Sequence, residues 1–313
     1  MKFGLYLPIF GGWLGRSANE KERELSYDYV KEVAIRAEEI GIDSLWIPDH
    51  LLNPPKGEEA PSLEAWTLAT AIAEVTEEVD ISHTTICEGF RYPAVLAKQA
   101  STLQEISEGR FWLSIGAGWF KREYAAFGLD FLEHDERIDK AAETIEIVER
   151  LWEENRVDYD GEYYQIEEGI VEPKPDPVPP IWYAGMSDPS RELVAEKADG
   201  WLMGADGISK IEEHLKDMKK KLKEKDRDTS EMEYAVPAIT ILEDTDEEAE
   251  ERLKALSNGE EKIYDRVYKS GLVGGFETVR EDIEKLENLG IDHLLFQLTP
   301  TLGELDKIED LIG

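Results

Sequence analysis

The chain has 313 residues, 41 % of them hydrophobic, with 8 Trp, 12 Tyr and 9 Phe, which is material for one large core and a usual length for a single α/β barrel. Its 70 Asp and Glu against 35 Lys and Arg leave a formal net charge of −35, which sets it against nucleic acid and anionic membranes. No run of 18 apolar residues could cross a bilayer, and the single cysteine, Cys87, excludes an internal disulfide framework and fits a reducing cytoplasm.

In chain order, the apolar run Lys2 to Ile9 predicts a first strand; it is too short and too strand-like for a signal peptide, so a cytoplasmic chain is expected. Ser26 then offers an N-cap to a helix with Val30, Val33, Ala34, Ala37 and Ile40 on one face, ended by Gly41. Ser44 to Ile47 is a second strand and Ala65 to Ala73 a helical stretch. Ile81 to Ile86 is a third strand, followed by a helix from Pro93 to Ile106 that opens on proline. Phe111 to Ile115 makes a fourth strand. His134 to Trp152 reads as a long helix, with Ile138, Ala142, Ile145, Val148 and Leu151 at helical spacing. The Tyr-, Gly- and Pro-rich stretch at about 155–180 breaks the rhythm as a surface hairpin and connector within one domain, 1–313.

Four further strand candidates follow: Ile181 to Ala184, Trp201 to Met203, Tyr234 to Ile241 and His293 to Gln297. Helices from about Pro189, Ile208, Asp246 and Glu277 separate or follow them, and Asp244 to Glu248 places a cap and acids at one helix start. Eight strands interleaved with helices predict a parallel sheet closed into a (β/α)8 barrel. An open doubly wound sheet is the alternative, weakened because no G-x-G-x-x-G turn follows the first strand.

A barrel builds its site at the C-terminal ends of its strands, which selects a short set of residues. Asp49 and His50 follow the second strand, and a neutral imidazole there can move a proton near neutral pH or merely cap the strand end. Thr84, Thr85 and Ile86 follow the third. Gly116, Ala117 and Gly118 follow the fourth and let a flat ligand approach the backbone; Trp119 and Phe120 could wall a ring or pack beneath a helix. Gly185, Met186 and Ser187 lead into a helix N-terminus whose amides and Ser187 hydroxyl suit a phosphate, or simply cap the helix. The eighth strand offers Gln297 and Thr299. His134, Asp135 and Glu136 resemble a metal triplet, but adjacent helical residues point in different directions, so no metal is expected. Cys87 lacks a neighbouring base and reads as an inert buried thiol. With no protein-borne redox group in the sequence, oxidoreductase chemistry would need an added cofactor. The acidic residues spread over helix faces, and their self-repulsion would be relieved by concentrated salt, which predicts a salt-adapted, halophilic protein.

Four segments carry a resemblance over nearly the whole chain: GIDSLWIPDHLL (41–52), RYPAVLAKQASTLQEISEGRFWLSIGAGWFKREYAAFG (91–128), PPIWYAGMSDPSRELVAEKADGWL (179–202) and VGGFETVREDIEKLENLGIDHLLF (273–296). They resemble the luciferase-like flavin- and deazaflavin-dependent oxidoreductases. The resemblance implies a (β/α)8 barrel with one insertion, and reduced FMN or coenzyme F-420 across the strand ends. It implies a phosphate beside Ser187, a non-proline cis peptide or bulge at Thr84–Thr85, and a proton-donor role for His50. The luciferase histidine falls at Asp49, and the glutamate of deazaflavin-dependent sugar-phosphate and alcohol dehydrogenases is replaced by Phe120.

Two activities follow from the resemblance. A separate reductase could supply reduced FMN for oxygenation of a small organic or organosulfur substrate, which the Gly-Met-Ser-Asp loop favours. Alternatively, F-420 could exchange hydride with a substrate while His50 handles the proton. A non-catalytic flavin-binding paralogue is a third reading. The substrate pocket is expected from loops after Asn53 and around Tyr163, and relatives imply a homodimer or homotetramer.

Overall fold

The protein is described from a computed structural model, over residues 1–10, 24–205 and 208–313. The first strand, β1 (Lys2–Tyr6), leads through α1 (Tyr27–Glu39) to β2 (Ser44–Ile47), and α2 (Ala65–Ala73) leads to β3 (Asp80–His83). A two-residue strand, β4 (Ile86–Cys87), precedes α3 (Pro93–Ile106), β5 (Phe111–Gly116), α4 (Lys121–Phe127) and α5 (His134–Glu153). The hairpin of β6 (Val157–Asp160) and β7 (Gln165–Gly169) comes before β8 (Ile181–Ala184), α6 (Asp188–Lys197), β9 (Gly200–Leu202) and α7 (Ile208–Glu224). The chain ends with β10 (Glu233–Glu243), α8 (Asp246–Leu256), α9 (Glu261–Ser270), β11 (Leu272–Gly275), α10 (Phe276–Leu289), β12 (His293–Gln297) and α11 (Thr301–Ile312).

β1 pairs in parallel with both β2 and β12, and β9 with both β8 and β10, so the sheet closes through β3, β5 and β8 into an eight-stranded barrel without a free edge. The expected (β/α)8 barrel is therefore the observed one. Its third strand differs in detail: β3 stops at His83, the Thr84–Thr85 peptide is cis, and Ile86–Cys87 pairs only with β5. α4, α9, β11 and α11 were not among the sequence expectations. β11 extends β10 outside the barrel, and α8, α9 and β11 form an insertion with its own small core of Ile241, Leu253, Leu256 and Val267.

The helices cover the barrel because one face of each is apolar: Val30, Val33, Ala34 and Ala37 of α1 are all buried, with Ser26 accepting from the Tyr29 amide as the N-cap. Inside, the lower half is filled by aromatic rings. Trp112 and Trp182 stack at 5.6 Å and 6°, and Trp46 meets both edge-on at 6.1 and 5.7 Å. This packing requires glycine beside it. A Cβ on Gly200 would stand 2.2 Å from the Trp182 ring, and one on Gly4 would stand 2.9 Å from Trp46 Nε1.

The hairpin lies outside the barrel on α5, where Glu143 accepts from the backbone amides of Glu162, Tyr163 and Tyr164. Tyr163, expected near the substrate pocket, borders neither of the two cavities found at the strand ends.

Candidate functional site

At the C-terminal ends of the strands a cavity of about 400 Å³ opens above the tryptophans. The loops after β2, β3, β5 and β8 bring Asp49, His50, Thr84, Thr85, Gly116, Ala117, Gly118, Trp119, Gly185, Met186 and Ser187 to its walls. Its floor is nearly bare backbone. A Cβ on Gly116 would lie 2.3 Å from Thr85 Oγ1, and one on Gly118 2.6 Å from Cys87 Sγ, so side chains there would collide with the groups that shape the cleft. Gly118 also has φ +73, a conformation that L side chains rarely adopt. Beneath, the Thr84 hydroxyl donates to Tyr6 Oη at 2.6 Å. Burial raises the Tyr6 phenol far above its ordinary range, so it stays neutral.

His50 is fixed on the wall by a buried carboxylate. Its Nδ1 lies 3.0 and 2.9 Å from the two carboxylate oxygens of Glu123, which is itself almost fully buried. Glu123 also accepts from the Leu52 amide at 2.9 Å, so the carboxylate is fixed to the strand-2 loop. A carboxylate accepts, so Nδ1 carries the hydrogen and Nε2 is the ring nitrogen left for proton exchange. Trp119 packs edge-on against the imidazole at 5.6 Å and stacks on Phe120 at 5.2 Å. Phe120 therefore helps wall the cleft, and a carboxylate does reach His50, supplied by Glu123 three residues further on.

Asp49 has a different assignment. Its carboxylate takes both Arg91 Nη atoms, at 2.5 and 3.0 Å, and the Cys87 amide at 2.9 Å. Arg91 continues to Glu64, which caps α2 through the Trp66 and Thr67 amides. Both Asp49 oxygens are thus engaged, and they tie the loop after β2 to the segment from Cys87 to Arg91. Cys87 is buried against Tyr124 Oη at 2.9 Å, and burial pushes its thiol up to about 12, the state of an inert thiol.

At the opposite end, Ser187 is the N-cap of α6: its Oγ accepts from the Ser190 amide at 3.3 Å and donates to Ser190 Oγ at 2.9 Å. Arg137 enters from α5 with Nη1 on the Leu132 carbonyl at 2.5 Å and Nε on the Gly118 carbonyl at 3.3 Å. Among the described residues it is the arginine bordering this cavity, one helical turn after His134, which borders it too. His134 bonds Asp135 at 2.8 Å, and the described residues contain no group of three His, Cys, Asp or Glu able to hold a metal ion. Among the strand-8 candidates, Gln297 borders a neighbouring cavity, whereas the Thr299 carbonyl accepts from Arg252 at 2.8 Å and stays clear of the cleft.

Glu123 and Arg137 were absent from the sequence expectations. Both sit in the first turns of the helices that follow the Gly116–Gly118 loop, the part of a barrel that faces its mouth.

Comparison with known proteins follows the same lines. The model of the luciferase-like monooxygenase family matches residues 1–267. The chain is 33 % identical over 173 residues to the F-420-dependent glucose-6-phosphate dehydrogenase of Amycolatopsis mediterranei, covering 55 % of this chain and 51 % of that protein. It thus spans about half the length of that relative. It is 27 % identical over 251 residues to the FMNH2-dependent dimethylsulfone monooxygenase of Pseudomonas putida, covering 80 % of this chain and 68 % of that one. The crystal structure of a long-chain alkane monooxygenase superimposes with a TM-score of 0.86 at 19 % identity, over 100 % of this chain and 90 % of that one. No described helix is long and apolar enough to cross a membrane.

Proposed function

We infer that this chain, which belongs to the luciferase-like monooxygenase family, is an oxidoreductase that uses reduced FMN and O2 to oxygenate a small organic or organosulfur substrate. The observation that carries the reading is the glycine-floored cleft with a histidine–glutamate pair on one wall and a serine-capped helix N-terminus at the far end. A flat tricyclic ring fits a floor of backbone, and its anionic tail fits the Ser187 hydroxyl, the first amides of α6 and the Arg137 guanidinium. Reduced flavin bound there would supply the electrons that activate O2. The protein's own part is to exclude water with Trp119 and Phe120, and to hold or move a proton at His50 Nε2 while Glu123 fixes the ring. The Pseudomonas relative, FMNH2-dependent by name, supports this choice of coenzyme.

One observation favours a second reading, hydride exchange between substrate and coenzyme F-420. Hydride transfer to a carbonyl, or from the corresponding alcohol, leaves one proton to be moved, and the Glu123-held imidazole suits that task. The Amycolatopsis relative is F-420-dependent by name.

Anaerobic titration of the purified protein in molar salt with reduced FMN and with reduced F-420 separates the two. Submicromolar affinity for FMN with weaker F-420 binding is expected. The reverse order moves the assignment to hydride transfer, and binding of neither removes both. Preference for oxidised flavin without turnover identifies a non-catalytic binder.

The same proposal extends to a separate flavin reductase as partner, a cytoplasmic setting and a homodimer or homotetramer. It also extends to salt adaptation, argued from the net charge of −35. A melting temperature that fails to rise between low and molar KCl contradicts the last point.

A further inference from the structure

A second cavity, of about 460 Å³, lies on the other side of the wall formed by His50 and Trp119, both of which border the coenzyme cleft as well. The group argued to exchange a proton therefore stands between the two spaces. Phe10, Pro54, Pro55 and Val267 give the second cavity an apolar lining. Besides His50, three polar side chains interrupt it: Gln297, at the end of β12, and Arg266 and Ser270, on α9 of the insertion, where the Ser270 hydroxyl donates to the Arg266 carbonyl at 2.7 Å.

Arg266 differs from the other described arginines. Each of those donates to a carboxylate or to a backbone carbonyl. Among the described residues the Arg266 guanidinium makes no hydrogen bond and no ion pair, and its neighbour Asp265 is taken by Lys269 at 3.2 Å. With 70 carboxylates to 35 cations, partners for an arginine are abundant, so an unpaired one at a cavity wall is an available anion site. The surrounding charge strengthens the argument. A net charge of −35 repels small anions from the protein at large, and only a local cation reverses the field where one is to be held. The planar guanidinium fork matches a carboxylate or sulfonate, while a neutral substrate gives it nothing to neutralise.

We propose that this second cavity is the substrate site and that Arg266, with Gln297 beside it, binds the head of a small organic anion, a carboxylate or a sulfonate. The apolar body of that molecule lies along Pro54, Pro55 and Val267, which brings its reacting end toward His50. The assignment of the cavity to a substrate rests on the oxidoreductase reading above; the anion selectivity rests on the cavity itself.

Calorimetric titration of the intact protein with hexanoate, hexane-1-sulfonate and 1-hexanol tests it, alongside the Arg266→Gln variant. Arg266 is exposed on a helix surface, so the variant keeps the fold. At least one anion is expected to bind roughly tenfold tighter than the alcohol, the size of one charge-assisted hydrogen bond. The better of the two identifies the head group, and R266Q should bring that anion and the alcohol to within about twofold, without changing the affinity for reduced coenzyme measured on the same samples. Equal binding of anion and alcohol overturns the proposal, as does a preference that survives in R266Q or a failure of every probe to bind. If anion preference is lost with R266Q while neither coenzyme binds, the anion site stands and the oxidoreductase reading falls. If a coenzyme binds and the preference is absent, the opposite holds.

Discussion

The lower half of the barrel interior and its upper mouth are built from the same strands. In the lower half, Trp46, Trp112 and Trp182 leave no space, and Gly4 and Gly200 are there to let the rings close on one another. In the mouth, Gly116 and Gly118 do the reverse and keep the floor clear of side chains, so that a cavity of about 400 Å³ remains. Polar groups are treated differently too. At the mouth they come in tied sets, Glu123 on His50 and Asp49 on Arg91, whereas Asp80 near the lower end has no hydrogen-bond partner for its carboxylate among the described residues. Glycine type and position thus decide whether a region stores packing energy or holds an empty space. Stability belongs to the lower half and function to the mouth.

The sharpest way to break that division is a pair of tryptophan truncations. Trp182→Ala removes a fully buried ring between Trp46 and Trp112 and should cost about 3–5 kcal/mol in urea unfolding. Trp119→Ala removes a ring that is 66 % exposed at the mouth and should change unfolding by less than about 1 kcal/mol. Comparable losses from the two would mean that the mouth is as much a part of the stabilising core as the tryptophan layer.

A smaller effect, confined to turnover, is expected from Glu123→Gln. The amide keeps an acceptor for the Leu52 amide but loses the charge that fixes and balances the imidazole. We expect kcat to fall about 100-fold with KM and coenzyme Kd unchanged. A loss spread equally over KM and coenzyme affinity would mark Glu123 as a structural strut.

The barrel itself was legible because its strands are short β-branched and aromatic runs at regular spacing, and Ser44–Ile47, Ile181–Ala184 and His293–Gln297 fall where that pattern placed them. α11 lay outside the expectations although Leu305, Ile308 and Leu311 repeat at helical spacing; Pro300 and Gly303, residue types that usually punctuate loops, stand at its start. The site was legible where it depends on strand ends and obscure where it depends on side-chain pairing. Asp49 and His50 are adjacent in sequence and both follow the second strand. In the loop after β2 they reach different partners, Arg91 and Glu123, 42 and 73 positions away, and no local pattern announces contacts over such separations.

The smallest effect sought is the one that best tests the contrast in polar groups. Asp80 sits at the start of β3, and burial pushes its carboxyl up to about 6, against the opposing pull of Lys2, Arg110 and His293. The fold therefore favours the protonated form. Its stabilising contribution is complete below the unfolded-state value near 4 and disappears as pH rises through about 6. Above that, the ionised carboxylate burdens the fold, and Asp80→Asn should relieve it. Because the residue is only partly buried, solvent screening reduces the gain to about 1 kcal/mol at pH 8, falling to nothing by about pH 4. Urea unfolding of wild type and D80N at both pH values measures this. A variant that is less stable than wild type at pH 8 would show that the lower end pairs Asp80 as firmly as the mouth pairs Asp49, and the contrast between the two ends would then rest on packing alone.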